Sequence, residues 1–289
     1  MKLFNDYRNK VLAAGSPFRH LRKIKLYAQH PGATLARRRT ASALQLAPEL
    51  RSTVKTLAQS GYCMAGSEID QGLLSELAVT CAPRIAEVKI NTAAGEGKNF
   101  WQKLLDTSNL TTDSIFVRYA LQPDVLNIVS GYFGEVPYLA YVQLIISYGT
   151  ENNSWQSSQL WHLDYDDSKM IKLWTYLTDV TDLDYGPFTL LPAEPSSRVT
   201  NTFFPGRVSD EQVERQAGAE NFKRIMGPRN TSFYVDTYRC YHQGSRLALN
   251  NIRIGYVATY ISHASLYPFA NKITQNSALS ELQKRVITL

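Results

Sequence analysis

The pattern of apolar positions changes at about residue 114. Before this point, apolar side chains recur at helical spacing and predict helices over 48–59 and about 69–81, with Gly61 and Pro83 as the signals that end them. A third helix is predicted over 123–133. Most later segments are short, rich in β-branched and aromatic residues, and separated by turn residues, which is typical of strands. The predicted strands are 114–120, 138–148, 159–164, 170–180, 188–191, 232–235 and 252–261.

This succession predicts a mainly β fold with flanking helices. Many short strands without a helix between most of them favour an antiparallel sandwich or barrel over a repeated strand–helix–strand unit. One helical insert is predicted at about 209–226, beginning at a capping sequence, and a last helix at about 279–286. We expect a basic N-terminal arm at 1–47 and a single domain at 48–289, whose strand-rich core spans about 114–262.

Positive charge is concentrated in the arm. The chain has a net charge of +6 at pH 7, and residues 1–50 alone carry ten Lys and Arg against two acidic residues. Apolar residues from Phe18 to Leu26 indicate a short basic amphipathic helix that either lies on an anionic membrane or packs on the body, and the second is favoured. The arginines at 37–39 are expected to be solvated. Without a nucleic-acid-binding motif or a basic body, no nucleic-acid partner is expected.

The rest of the composition is that of an ordinary soluble globular protein, with 44% hydrophobic and 19% charged residues. Three scattered cysteines are too few for a disulfide framework or a cysteine-based zinc site, and they suit a reducing compartment. No signal-peptide pattern and no run of roughly 18 apolar residues is present. We therefore expect a cytoplasmic protein, with peripheral membrane attachment as the alternative that the arm leaves open.

A histidine and a carboxylate lie two residues apart in the aromatic run at 159–164. Side chains at i and i+2 of a strand share a face, so His162 and Asp164 are expected to point the same way. A second histidine would complete the set of two histidines and one carboxylate that holds iron in non-heme oxygenases. Of the five histidines, His242 stands at the end of a strand pattern and is the candidate, whereas His20, His30 and His263 have no such context.

Arg253 is a charged residue within the otherwise apolar predicted strand at 252–261. Burying a guanidinium is costly without an anionic partner, and a guanidinium pairs bidentately with carboxylates. A dicarboxylate such as 2-oxoglutarate is therefore a natural partner. Fe(II), one ligand carboxylate and 2-oxoglutarate together carry a net charge of −1, which Arg253 would bring to zero, as a site closed to water requires.

Four sequence blocks, in the same order, resemble the phytanoyl-CoA dioxygenase family. They are Trp161-His162-Leu163-Asp164, the run from Leu173 to Val180, the run from Gly186 to Ala193, and the run from Asp236 to Gly244 followed by Arg253. The resemblance covers about residues 114–262 and implies the double-stranded β-helix, or jelly roll, of Fe(II)/2-oxoglutarate dioxygenases. It also implies iron ligands at His162, Asp164 and His242, a cosubstrate carboxylate anchor at Arg253, and a cosubstrate pocket lined by Trp174.

The sequence departs from the family pattern on the cosubstrate and substrate sides. Gly244 stands where the family often has a serine that helps to bind the cosubstrate, so Ser245 or Thr175 is expected to substitute. The loop after Pro192 lacks the usual Gly-Ser-His ending. Gln143 is the candidate for the upstream polar strand residue that meets the other end of the cosubstrate.

The resemblance implies an Fe(II)/2-oxoglutarate-dependent dioxygenase that uses O2 and releases succinate and CO2. Hydroxylation of an unactivated C–H bond is the default reaction, and the presence of Asp164 disfavours halogenation. The substrate is expected to be a small or a lipid- or nucleotide-linked molecule, and the basic arm suggests an anionic one. Two alternatives stay open: a metal-dependent hydrolase that uses the same two histidines and carboxylate as ligands, and a non-catalytic jelly-roll binding protein.

Overall fold

The computed structural model describes residues 19–87, 100–150, 154–200, 206–244, 246–266 and 272–289. Residues 91–98, whose composition predicts a loop, and Ser245 lie outside the described residues. None of the described helices has the length and apolar character needed to cross a membrane.

Helices precede, interrupt and follow the sheets. They are α1 (Arg19–Gln29), α2 (Pro31–Ser42), α3 (Pro48–Ser60), α4 (Gln71–Glu87), α5 (Ile115–Ala120), α6 (Pro123–Phe133), α7 (Ala193–Arg198), α8 (Asp210–Ala217) and α9 (Glu281–Ile287). The helices predicted at 48–59, 123–133 and about 279–286 are confirmed as α3, α6 and α9. Helix α3 ends at Gly61, whose φ of +77° lies in the left-handed region that glycine adopts most readily.

The strands form two antiparallel sheets. They are β1 (Tyr62–Met64), β2 (Trp101–Lys103), β3 (Tyr138–Tyr148), β4 (Met170–Tyr176), β5 (Phe188–Leu190), β6 (Lys223–Ile225), β7 (Ser232–Asp236), β8 (His242–Gln243) and β9 (Ile252–Ile261). The larger sheet has the order β1-β7-β4-β9-β3-β2 and the smaller one the order β6-β5-β8. Two facing antiparallel sheets flanked by helices make this a mainly β jelly-roll fold, which confirms the predicted fold class.

Alternation along the strands gives the larger sheet two different faces. Its outer face is apolar and packs on the helices, where Tyr256 and Tyr260 also donate hydrogen bonds to the Phe116 and Ala120 carbonyls, both at 2.6 Å. Its inner face is turned towards the smaller sheet and carries a second apolar cluster that includes Trp174. The helices thus cover one face of the larger sheet and leave the space between the sheets for a site.

Several predicted elements are wrong in type or extent. The helix predicted at about 69–81 does not end before Pro83, because α4 contains this proline and continues to Glu87. Residues 114–120 form helix α5, because an uninterrupted apolar run is compatible with a buried helix as well as with a strand. The helical insert ends at Ala217, before Gly218 with a φ of +81°, and strand β6 follows within the range predicted as helix. Residues 159–164 contain only isolated β-bridges, at Trp161 and His162, instead of a continuous strand.

The described part of the basic arm packs on the body. Arg37 is only 4% exposed and donates hydrogen bonds to the carbonyls of Val136 (2.9 Å), Pro137 (3.2 Å) and Thr288, so the prediction that it is solvated is wrong. Those carbonyls lie where α6 has ended and just beyond α9, and they offer acceptors that compensate the buried guanidinium. Arg38 and Arg39 are exposed, as predicted. The division of the chain at residue 47 stays a prediction.

Candidate metal centre

Backbone pairing between two distant segments places His162 opposite His242. Each residue donates its N–H to the other's carbonyl, at 2.9 and 3.0 Å. Residues that pair in this way in an antiparallel ladder point their side chains to the same face. Asp164 lies two residues further along and donates its N–H to the Thr237 carbonyl at 2.8 Å, which continues the extended pairing. The predicted common face of His162 and Asp164 therefore arises without a regular strand.

The three side chains converge between the sheets. One ligand atom from each of His162, Asp164 and His242 lies within 4.8 Å of the other two, and this is the one such group of metal-ligating residues in the described part of the chain. The distance between His242 Nε2 and Asp164 Oδ2 is 3.7 Å. Both imidazoles are buried, at 6% and 5% exposure.

Hydrogen bonds fix the tautomer of both histidines. His162 Nδ1 lies 2.8 Å from the Leu160 carbonyl, and His242 Nδ1 lies 3.0 Å from the Cys240 carbonyl. A carbonyl oxygen only accepts hydrogen bonds, so each Nδ1 carries the proton and each Nε2 keeps its lone pair. This is the arrangement by which an outer partner orients a metal-ligating imidazole. The centre therefore has two Nε2 lone pairs and a carboxylate in one small volume.

Electrostatics hold the three groups in the protonation states that metal binding needs. Burial, reinforced for His162 by the neighbouring His242, lowers the pKa of His162 well below its usual value and that of His242 to about 4. Burial alone would raise the pKa of Asp164, but the Lys172 ammonium and the two imidazoles outweigh burial and lower it. Near neutral pH the set is therefore two neutral imidazoles and one carboxylate.

This donor set fits a divalent transition-metal ion. Nitrogen and oxygen ligands stand about 2.1 Å from such an ion, so neighbouring ligand atoms are about 3 Å apart. The measured 3.7 Å between His242 Nε2 and Asp164 Oδ2 is close to that spacing. Because only three protein ligands are present in the group, an octahedral ion would keep positions for other ligands.

Arg253 lies on the inner face of β9, where it is 3% exposed. Its Nη1 donates a hydrogen bond to the Gly186 carbonyl, and its guanidinium lies 6.0 Å from the ring centroids of both Trp174 and Tyr176. Burial lowers the pKa of Arg253 below its ordinary value, although Tyr176 opposes this shift. A Cβ added to Gly244 would lie 3.8 Å from Arg253 Nη2, so a serine side chain would fit there.

Trp174 and Gln143 share the inner face with Arg253. Both pair directly with Val257, which lies four residues after Arg253 in β9, so Trp174, Val257 and Gln143 form one row across β4, β9 and β3. The Trp174 ring lies 5.5 Å from Phe188, and Phe188 stacks on His242 at 5.4 Å. An aromatic wall thus continues from the predicted cosubstrate pocket to the imidazole of His242.

The prediction that Thr175 binds the cosubstrate is wrong. Thr175 follows Trp174 directly in β4 and therefore faces the opposite side of the sheet. There its hydroxyl is 3.0 Å from the Tyr119 hydroxyl and 2.9 Å from the Ser232 hydroxyl, in a buried group under the helices. Of the two expected substitutes for the missing serine, Ser245 lies outside the described residues.

Lys172 is a residue at the centre that the sequence reasoning missed. Its Nζ lies 2.6 Å from Asp164 Oδ2, and only 15% of its side chain is exposed. It precedes Trp174 by two residues in β4 and so shares the inner face. That spacing was the one signal in the sequence that could have drawn attention to it.

Of the histidines predicted not to be ligands, His263 is engaged elsewhere. Its Nδ1 lies 3.1 Å from Glu135 Oε1, and its Nε2 lies 3.0 Å from the Thr34 hydroxyl. Both His263 and Glu135 are nearly inaccessible to solvent. This pair joins the arm to the body, and neither residue belongs to the metal-ligating group.

No family model matches the sequence, and a search of curated proteins gave no match. Solved structures do match. The epimerase SnoN, in a complex with Fe3+, alpha ketoglutarate and nogalamycin RO, is similar with a TM-score of 0.51 and 14% identity over 74% of this chain and 84% of its own. The apoform of EctD from S. alaskensis has a TM-score of 0.51 and 13% sequence identity, and the match covers 75% of this chain and 77% of the EctD chain. The structure of EctD with bound Fe has a TM-score of 0.50 and 12% sequence identity, and the match covers 84% of this chain and 85% of the EctD chain.

These likenesses, all at 14% identity or less, show that this chain shares the fold of those proteins. They support the jelly roll that the two antiparallel sheets define. Membership in the phytanoyl-CoA dioxygenase family, which the sequence blocks implied, stays a prediction.

Proposed function

We propose that this protein is an Fe(II)- and 2-oxoglutarate-dependent oxygenase that hydroxylates an unactivated C–H bond. The observation that carries the proposal is the convergence of His162, Asp164 and His242, with both Nδ1 atoms tied to backbone carbonyls. Two similar structures hold iron, and SnoN also holds alpha ketoglutarate, so the shared fold is compatible with these cofactors.

Each site residue has a part in the proposal. His162, Asp164 and His242 would hold the iron, and Arg253 would pair with the distal carboxylate of 2-oxoglutarate. Bound iron, with 2-oxoglutarate and O2, would supply oxidative decarboxylation to succinate and CO2 and the oxidation of the substrate C–H bond. The Arg253 guanidinium lies between the sheets, where a carboxylate would gain more from a bidentate pair than in water.

The aromatic side chains would shape the site and exclude water. Trp174 lies beside the Arg253 guanidinium, and Phe188 covers one face of the His242 imidazole. Gln143 projects into the same space from β3, where its amide would meet the near end of the cosubstrate. With these walls, the open side of the iron would be the side left to the substrate.

The carboxylate at Asp164 would occupy the position that a halide needs, so hydroxylation is favoured over halogenation. A metal-dependent hydrolase could use the same three ligands with zinc. It would have no need for a buried arginine beside a tryptophan on the inner face of the sheet. A substrate that is small, or linked to a lipid or nucleotide, is part of this proposal, and an anionic one suits the basic arm.

The arm supports a second element of the proposal, peripheral contact with anionic membranes by a cytoplasmic protein. Helix α1 buries Lys23 in an ion pair with Asp167 at 2.5 Å but leaves Leu21 and Ile24 exposed, at 62% and 64%. Exposed apolar residues flanked by basic ones are typical of helices that lie in a membrane interface.

Turnover tests the proposal. Protein reconstituted with Fe(II) should convert 2-oxoglutarate to succinate in the presence of O2, slowly without substrate and faster with a matching one. Zinc-loaded protein and the His162→Ala variant should form none. Succinate formation that needs no iron, or ester hydrolysis supported by zinc, would contradict the proposed function.

A further inference from the structure

A row of hydrogen-bond donors crosses the inner face of the larger sheet beside Asp164. Lys172 of β4, Thr259 of β9 and Tyr141 of β3 pair directly across the strands, so their side chains are neighbours on one face. Lys172 Nζ lies 2.6 Å from Asp164 Oδ2, and the buried Thr259 hydroxyl has no hydrogen-bond partner among the described residues. Burial raises the pKa of Tyr141 to about 12, so its phenol stays a neutral donor.

The row lies away from Arg253 along the same sheet. Thr259 and Arg253 are both in β9, six positions apart, which corresponds to about 20 Å of extended strand. A cosubstrate whose distal carboxylate is held by Arg253 would approach the metal from the Arg253 end. The Lys172 row would then border the side of the metal that is left to the substrate.

Lys172 also changes the charge balance of the site. Fe(II), Asp164, 2-oxoglutarate and Arg253 sum to zero, and the largely buried ammonium of Lys172 adds one positive charge. Two further charged groups interact electrostatically with this region, Asp166 with Lys172 and Arg207 with His162. Their formal charges, −1 and +1, sum to zero. A loaded site would therefore carry a surplus of +1, and an anionic group of the substrate would neutralise it.

We infer that Lys172, Thr259 and Tyr141 form a binding site for an oxyanion, a carboxylate or phosphate, carried by the substrate next to the C–H bond that is oxidised. This inference rests on the proposed function, because it takes the metal and the cosubstrate to be bound. An ammonium has three N–H donors, so Lys172 keeps donors for a second anion while it contacts Asp164.

The experiment measures the binding of inorganic phosphate to the anaerobic complex of the protein with Fe(II) and 2-oxoglutarate. Isothermal titration calorimetry gives the dissociation constant for the wild type and for the Lys172→Met and Lys172→Arg variants. Lys172→Met should weaken phosphate binding by about 10- to 100-fold, the worth of a hydrogen bond to a charged group, and Lys172→Arg should largely restore it. The affinity for 2-oxoglutarate, followed by the visible charge-transfer band, should change little in either variant.

Lys23→Met is the matched control. Lys23 forms a similarly buried ion pair with Asp167, at 2.5 Å, outside the metal-ligating group. Replacing Lys23 therefore shows how far the loss of any buried lysine ion pair alters the measured phosphate affinity. This variant should bind phosphate like the wild type.

Three results would overturn the inference. Equal phosphate binding by the wild type and Lys172→Met, or no saturable binding by the wild type, would show that the row does not hold an oxyanion. A large loss of 2-oxoglutarate affinity in Lys172→Met would assign the row to the cosubstrate instead. Failure of the proposed function is distinguishable, because the wild type would then give no charge-transfer band before any phosphate is added.

Discussion

Replacing Arg253 by methionine should weaken 2-oxoglutarate binding more than any other single change that leaves the three metal-ligating residues intact. The guanidinium is 3% exposed and lies against Trp174 and Tyr176, so water does not replace it when the side chain is truncated. The distal carboxylate of the cosubstrate would remain in the site without its partner. Arg253→Lys keeps the charge but loses the planar fork, so its affinity should fall between those of the wild type and Arg253→Met.

Removing one partner of a buried, hydrogen-bonded charge pair costs about 2 to 5 kcal/mol. That range corresponds to a rise in the dissociation constant of about 30- to 4,000-fold. We expect a rise in the upper half of this range. Arg253 also donates a hydrogen bond to the Gly186 carbonyl, so truncating Arg253 would also free the loop that carries Gly186. Iron affinity should change little, because Arg253 is not part of the metal-ligating group.

Calorimetry of 2-oxoglutarate binding to the anaerobic Fe(II) protein gives these constants. Arg37→Met is the matched control, because Arg37 is an equally buried arginine, at 4% exposure, that binds backbone carbonyls away from the metal-ligating group. It should lower the free energy of unfolding without weakening 2-oxoglutarate binding. An Arg253→Met variant that is folded and binds 2-oxoglutarate as tightly as the wild type would refute the assignment of the anchor.

Three other changes test separate parts of the structure. Gly255→Ala would place a Cβ 3.0 Å from Trp174 Cζ3, so it should displace the indole and cost about 1 to 3 kcal/mol in urea unfolding, and unchanged stability would contradict this packing. Burial raises the pKa of Asp236 from 3.8 to about 6, so the stability contributed by this group is greatest below pH 3.8 and is lost as the pH rises to 6. The unfolding free energy of Asp236→Asn relative to the wild type should therefore rise by about 2 kcal/mol between pH 4 and 6, and a pH-independent difference would refute the raised pKa of Asp236. Replacing both Leu21 and Ile24, which are 62% and 64% exposed, by serine should reduce binding to phosphatidylserine vesicles about tenfold or more, and equal vesicle flotation would exclude α1 as the contact.

The candidate site was predictable where it depends on local geometry. His162 and Asp164 share a face because they are two residues apart in extended backbone, and the sequence alone shows that spacing. The same rule could have corrected the assignment of Thr175, since a residue adjacent to Trp174 in a strand must face the other way. Alternation along β4 thus separates Thr175 from Trp174, although the two residues are adjacent in one sequence block.

Other features depend on contacts that no local pattern encodes. The partner of Lys172 is set by how β4 passes the segment that carries Asp164, which is a property of the assembled sheets. Arg37 stands in a run of three arginines that resembles a solvated surface, yet the carbonyls after α6 bury it. Helix α5 is apolar on almost all sides, so its sequence has no period that separates a buried helix from a strand.

The iron centre is tested most directly by an anaerobic titration of Fe(II) into the metal-free protein with 2-oxoglutarate present. We expect a saturable charge-transfer band in the visible, with one iron bound per chain. The band should be absent from His162→Ala and should need far more 2-oxoglutarate in Arg253→Met. Wild-type protein that gives no band, or a band that His162→Ala retains, would contradict the claim that His162, Asp164 and His242 hold an iron centre for 2-oxoglutarate chemistry.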